Sequence, residues 1–411
     1  MKKKLTIASV VSLSMVPMLV PSQDASAIPA FARKYQTSCY TCHSGFPTRN
    51  AFGEAFRNNG YRWPGGEDED KTKQEQLKLG ADGWKKTFPE TPWPSEIPGY
   101  APVSLWLRGQ LINYSEVTRN PNGTVNTKES LNYGTGGLGS ASLFFGGTMG
   151  DNLSAFGQYN LTNTSTAPTG HVIWAFKPGL NVAFGNGFSD FTFGNAIQTY
   201  SSVFPAPGTG AEFTYVTGDK GGFKLVAGLA QNGTATATVS NHIDDIRYLR
   251  AKYKFGGAGL LSGANGTYGN EYVGLDNHVA LGATYVNAKK SILTSGNYSG
   301  ETSVYGADIT GNIGNFSLGA AYSKDEDLSL DNYRLDATYF IYPWMKATMA
   351  YANVRSGDKT VNDPTVTAGL TAHLRANALI SATYVHHTRE RLTSTSATLP
   401  STFVLGAQFA F

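Results

Sequence analysis

From Ala101 to Phe411 apolar and polar residues alternate in runs of about ten, separated by Gly, Asn or Asp. A period of two is a strand with two unlike faces. In the last run Phe403, Leu405, Ala407, Phe409 and Phe411 share one face, and Val404, Gly406, Gln408 and Ala410 the other. Leu143/Phe145, Val172/Trp174/Phe176 and Val279/Leu281/Ala283/Tyr285 repeat the pattern. Soluble sandwiches rarely turn so many large apolar residues to one face and Gly, Ser, Thr and Asn to the other, whereas lipid outside and a packed or wet lumen inside require it. Connections alternate in length. Short ones fall near Asp151, Gly179, Asp219, Gly314, Pro343 and Ala376, and long ones around 115–136, 162–170, 199–210, 232–244, 288–300, 323–332, 355–364 and 390–400. The expected fold class is therefore all-β: an outer-membrane antiparallel β-barrel of about 16 strands, short turns toward the periplasm. Trp174, Tyr342, Trp344 and Tyr384 near run ends suit interfacial girdles. One stretch, 256–274, is too long for the short turn expected there, and the alternation does not explain it.

The first hundred residues follow other rules. Met1-Lys2-Lys3-Lys4 is a basic start, Leu5 to Val20 is apolar but short and broken by proline, and Ala25-Ser26-Ala27 offers small residues for cleavage. Residues 1–27 are read as a secretory signal peptide, with the mature chain starting at Ile28. Residues 28–100 are Pro-punctuated and charge-rich, with Ala51, Phe52, Ala55 and Phe56 on one helical face. This segment is expected to be a small, mainly α-helical domain, with Glu67 to Lys86 a polar helix or linker and Pro89, Pro92, Pro94 and Pro98 in a connector to the barrel at 101–411.

Composition sharpens this division. Charged residues make up 15%, against about 25% in typical soluble domains, while 47 of 411 residues are Gly. After the signal no apolar run reaches the length of a transmembrane helix. The formal charge of +3 is largely Lys2 to Lys4, so no nucleic-acid partner is expected. Export leads to an oxidising compartment, yet the chain has only two cysteines, both in one motif.

That motif is Cys39-Tyr40-Thr41-Cys42-His43, the C-x-x-C-H attachment pattern of c-type haem. Thiols three positions apart can add to the two vinyl groups on one porphyrin edge, and the adjacent imidazole then reaches the iron. Cys39 and Cys42 are thus the expected covalent anchors of one haem c, and His43 its proximal ligand. A small structural disulfide, a redox pair or half a zinc site are the alternatives. Between Ile28 and Tyr100 there is no other His and no Met. A sixth ligand must come from the barrel or from the Ile28 amino group, or the iron stays five-coordinate. His278 and His373 fall on the polar face near the periplasmic end and are the candidate distal ligands; His171 and His387 point inward near the outer rim. Phe31, Phe46, Phe52 and Phe56 are available to shield a porphyrin.

Ile28-Pro29-Ala30-Phe31-Ala32-Arg33, the C-x-x-C-H run, Phe46-Pro47, Asn50-Ala51-Phe52-Gly53 and Asn59-Gly60-Tyr61 together resemble the cytochrome segment of the fused outer-membrane monohaem cytochrome-porins. The resemblance covers residues 28–62. It implies a single-haem domain joined to a 16-stranded barrel, and the Fe(II) oxidase activity of iron-oxidising bacteria. The partners it implies are outer-membrane lipid, extracellular Fe(II) or another reductant, and a soluble periplasmic c-type cytochrome as acceptor. An Fe(II):cytochrome c oxidoreductase is the enzymatic form of that expectation. The alternatives are a diffusion porin with a haem-containing plug, electron transfer from a non-iron donor, and a peroxidase-like haem. Asp244, Asp245, Asp325, Glu326, Asp327, Asp358 and Asp363 lie in expected outer loops and could offer oxygen ligands to iron. Loop solvation and lipopolysaccharide-bridging cations explain them more simply, so no iron site is assigned.

Overall fold

In the computed structural model the alternating region closes into an antiparallel barrel of sixteen strands. The structure describes residues 29–45, 48–64, 68, 76–78, 96–98, 102–119, 125–133, 140–149, 152–162, 168–192, 204, 207–232, 242–266, 268–270, 274–291, 298–327, 329–356, 362–375, 377–387 and 400–410. The barrel strands are β1 (Val103–Ser115), β2 (Ser140–Met149), β3 (Leu153–Asn160), β4 (Thr169–Lys177), β5 (Leu180–Gly185), β6 (Pro207–Thr217), β7 (Lys220–Asn232) and β8 (Ile246–Ala258). They continue as β9 (His278–Ser291), β10 (Tyr298–Ile313), β11 (Phe316–Asp325), β12 (Leu330–Tyr342), β13 (Met345–Ser356), β14 (Asn362–Arg375), β15 (Ala378–His387) and β16 (Thr402–Ala410). Each pairs with the next, and β16 returns to β1 with Ala410 opposite Trp106. Closure leaves no strand edge exposed.

Alternation sets which way each side chain points. On β4, Val172, Trp174 and Phe176 are exposed while His171, Ile173 and Ala175 are buried. Leu281, Tyr285, Ile309, Leu335 and Met349 continue an exposed apolar belt around the outside. Tyr342 and Trp344 stack at the turn between β12 and β13, 5.4 Å apart. Such a belt with aromatic rims is the surface that lipid requires. Phe403 is the exception to the expected outward face of β16. It is buried, between Tyr114 and Tyr384 in register on its neighbours, and the register slips between Leu405 and Gly406.

The short turns fall where the sequence puts them. Gly179 shows why one residue type serves: its φ is +75°, and a β-carbon there would strike the Val216 carbonyl. Two places depart from the expectation. β5 ends early, at Gly185, where φ is +138°, and 186–192 turn inward instead of continuing the strand. Phe191 then stacks on Tyr248 at 4.4 Å, and its carbonyl accepts from the Thr284 hydroxyl at 2.9 Å. The stretch after β8 is the second. It folds back beneath the barrel, with Leu260 N–H bonded to the Gly221 carbonyl.

The N-terminal region enters the mouth formed by the short turns. It contains α1 (Pro29–Lys34), a 3-10 turn at Cys39–Thr41, a pairing of His43–Gly45 with Thr48–Arg49, and α2 (Ala51–Asn58). Beyond these, Gln76–Lys78 pairs with Glu96–Pro98, Leu77 facing Ile97; part of the segment expected as a polar helix is thus extended. The proline-rich partner favours extended backbone there. Asn50 starts α2 as its N-cap, Oδ1 accepting from Gly53 N–H at 2.9 Å. Phe31, Tyr35 and Phe56 pack with Trp106, Phe144 and Leu379 of the barrel wall. The fold-back after β8 cradles α2: Asn58 and Asn59 side-chain amides donate to the Leu260 and Leu261 carbonyls, each at 2.8 Å. Gly263 lets the backbone approach Phe52 and Ala55 closely.

Candidate functional site

The C-x-x-C-H segment opens onto a cavity between the N-terminal region and the barrel wall. Cys39, Cys42 and His43 border one side. Phe31, Tyr35, Phe52, Phe56 and Trp63 supply aromatic walls, Phe156 and His171 come from the barrel, and Gly187 and Ser189 from the inward loop after β5. Phe31 meets Phe56 edge-on at 5.2 Å, and Phe52 meets Trp63 at 4.8 Å, so these walls brace one another.

Asn50 organises the motif. Its side-chain amide donates to the Tyr40 and Thr41 carbonyls at 2.9 and 3.1 Å, while its backbone N–H donates to the Cys42 carbonyl at 3.0 Å. Gly53 lies against that same carbonyl so closely that a β-carbon would collide with it. His43 is buried, with Nδ1 3.2 Å from the Thr48 carbonyl. A carbonyl only accepts, so Nδ1 carries the proton and Nε2 the lone pair. Both cysteines are free thiols, partly buried. Burial, with Cys39 alongside, pushes the Cys42 thiol up to about 12, and burial raises Cys39 as well. A redox pair needs a thiol with a lowered value, so this environment opposes thiol exchange. Among the described residues no group of three or more His, Cys, Asp or Glu is gathered to hold a metal ion.

A buried ionic cluster locks the region into the lumen. Asp190, on the inward loop, pairs with Arg57 of α2 and with Lys224 of β7, both at 2.7 Å. Lys224 also donates to Asn58 Oδ1 at 2.8 Å, and Glu54 is held by Arg49 at 3.0 Å. Arg49 and Arg57 border the cavity as well. Arg57 and Lys224 hold Asp190 far below the usual carboxylate range against the opposing effect of burial, and Arg49 and Lys224 do the same for Glu54. A depressed folded value stabilises docking fully above the unfolded value, about 4, and the contribution disappears only as pH falls through the lower folded value. Hydrogen exchange of residues 50–63 should accordingly stay slow at pH 4–5 and quicken only in stronger acid; release already near pH 6 would contradict the cluster's role.

Of the two barrel histidines singled out in the sequence, neither borders this cavity. His278 bonds through Nδ1 to the Asp276 carbonyl at 3.0 Å, in the fold-back after β8. His373 lies edge-on to Tyr40, 6.2 Å between ring centres, with its Nε2 buried and unpartnered among the described residues. His171, placed by alternation on the inner face, is the barrel imidazole that the cavity meets. Asn50, Arg57 and Asp190 were missed as contributors; Asn50 directly before a helical run with Glu54 in its first turn carries a readable cap signal, while Asp190 carries none. Several of the acidic loop residues are occupied locally. Asp244 pairs with Arg247 and Lys289, Asp245 accepts from His242 N–H, and Asp325 accepts from Thr302. Asp358 lies outside the described residues, as do Ile28 and the signal segment.

No protein-family model matches the chain, and no curated protein matches it. Solved structures similar to it include the outer membrane channel DcaP of Acinetobacter baumannii, 13% identical, with a TM-score of 0.49 over 75% of this chain and 96% of that one. A loop-deletion mutant of OmpT, an outer membrane protein of Vibrio cholerae, is 14% identical, with a TM-score of 0.46 over 75% and 98%. A porin structure is 12% identical, with a TM-score of 0.43 over 75% and 100%.

Proposed function

We propose that this protein sits in the outer membrane, carries one haem c in its lumen on Cys39, Cys42 and His43, and passes electrons from an extracellular donor, Fe(II) first, to a soluble periplasmic c-type cytochrome. The observation that carries the reading is the C-x-x-C-H segment facing an aromatic-walled cavity with the His43 Nδ1–H fixed on a carbonyl. Fixing the second ring nitrogen on a carbonyl is how proteins orient an imidazole toward a metal.

The residues present fit the group. The cavity's donor set is two thiols and an imidazole, and its walls are largely aromatic rings. The close approach of Gly53 to the Cys42 carbonyl keeps α2 tight against the motif. When bound, haem c supplies a one-electron couple. The chain supplies the rest: Cys39 and Cys42 anchor, His43 ligates, Phe31, Phe52, Phe56 and Trp63 exclude water, and Asn50 fixes the motif's backbone. One electron leaves the donor, Fe(II) becoming Fe(III) outside the cell, and the same electron passes to the periplasmic acceptor.

The exposed apolar belt and the aromatic residues at its rim support the outer-membrane location, and the basic, apolar and small-residue succession of residues 1–27 supports export. The resemblance of residues 28–62 to the cytochrome-porins supports iron as donor. A diffusion porin is opposed by the lumen itself, which the N-terminal region and the loop at 186–192 both enter. Anaerobic Fe(II) added to the ferric protein should yield the ferrous haem spectrum. Reduction by dithionite but not by Fe(II) at any pH would remove the iron assignment and spare the haem, and free passage of small solutes into proteoliposomes would favour the porin.

A further inference from the structure

His171 stands near the long-loop end of β4, between the outward Gly170 and Val172 positions, so its ring points into the lumen. Three contacts fix the ring. Phe156 lies 5.6 Å and Phe188 5.5 Å from it, centre to centre, and Nδ1 is 3.1 Å from the Asn186 carbonyl. Because a carbonyl only accepts, Nδ1 is the protonated nitrogen and Nε2 carries the lone pair. Among the described residues Nε2 makes no hydrogen bond. His43 is held in the same way on the Thr48 carbonyl, and both residues border the one cavity, from the N-terminal region and from the barrel respectively.

We infer that His171 is the second axial ligand of the iron, an inference that rests on the haem reading above. Two imidazoles, each with its Nδ1–H on a backbone carbonyl, are a matched pair of oriented nitrogen donors. His171 borders the same cavity as Cys39, Cys42 and His43 and presents its Nε2 side free of the backbone carbonyl that holds Nδ1. His278 and His373 do not border the cavity, and no Met does. A ligand supplied by β4 gives the arrangement a mechanical consequence: the haem ties the N-terminal region to the barrel wall, so the region cannot leave the lumen without giving up a bond to iron.

The test uses the full-length holoprotein in detergent, with absorption and EPR spectra of the ferric state and a redox titration. The parent protein should be six-coordinate and low-spin. His171→Ala should become high-spin, added imidazole should restore the low-spin spectrum, and heat-modifiable migration should stay that of the parent barrel. His171→Met should remain six-coordinate with a raised potential, as methionine ligation raises it. His278→Ala and His373→Ala should keep the parent spectrum. A low-spin His171→Ala without imidazole, or a switch to high-spin in His373→Ala instead, overturns the assignment while leaving the haem in place. A parent protein without covalent haem overturns the haem reading and this inference together, and is recognised by absorption before any variant is made.

Discussion

Replacing Cys39 and Cys42 by serine is expected to give a barrel that assembles normally and purifies without colour. The two halves of this outcome have separate physical causes. The sixteen-strand ladder closes through β16 and β1 alone, so no residue before Val103 is needed to complete it. The proposed covalent link to haem, in contrast, would rest entirely on two thiols in one turn, and serine oxygens do not form thioethers with vinyl groups. His43→Ala should retain the attachment chemistry but lose the proximal ligand, so whatever haem is captured would show altered coordination. Heat-modifiable migration in gels reports the barrel, and absorption after denaturation reports covalent haem. Persistence of covalent haem in the double serine variant would contradict the role of the motif.

Asp190→Ala is expected to loosen the docking of the N-terminal region in the lumen while leaving the barrel intact. The carboxylate answers two cations at 2.7 Å, Arg57 and Lys224, and its side chain is 6% exposed. Removing one partner of a buried ionic set strands the others in a poorly solvated place, which costs about 3–5 kcal/mol. Lys224 keeps other contacts in the lumen, to Asn58 and Glu54, so the loss should fall on docking and not on strand pairing. Hydrogen exchange should rise by orders of magnitude over residues 29–63 and stay unchanged across β9 to β16. A second change, Lys224→Met, should recover part of the loss in the double variant because it removes one stranded charge. Unchanged protection in Asp190→Ala would show that apolar packing of Phe31, Tyr35 and Phe56 on the wall suffices by itself.

The barrel was legible because each strand obeys a local rule. Alternation with Gly, Asn or Asp at the turns gives strand number, order and facing without any knowledge of the neighbours, and α2 is visible in Ala51, Phe52, Ala55 and Phe56 for the same reason. What the sequence left obscure depends on contacts distant along the chain. The Gly-rich stretch at 256–274 follows no strand rule because its purpose lies 200 residues away, under Asn58 and Asn59. The inward loop after β5 reads as ordinary continuation until Gly185 and Gly187, whose positive φ turns Phe188 and Phe191 into the lumen. Alternation also sorts histidines into inside and outside, but not around the circumference. His278 and His373 were favoured for their nearness to the periplasmic end, whereas the cavity extends from the motif to β4 and meets His171. Depth and azimuth in a barrel are properties of the closed sheet and of the region that fills it, and neither is written in any single run.

The most direct test of a haem seated between this N-terminal region and the barrel is the intact mass of the mature protein under denaturing conditions, with thiol alkylation in parallel. The expected result is the chain plus one haem, with neither Cys39 nor Cys42 available to alkylate. A mass equal to the bare chain with two alkylated cysteines, from a host that matures c-type cytochromes, would contradict it.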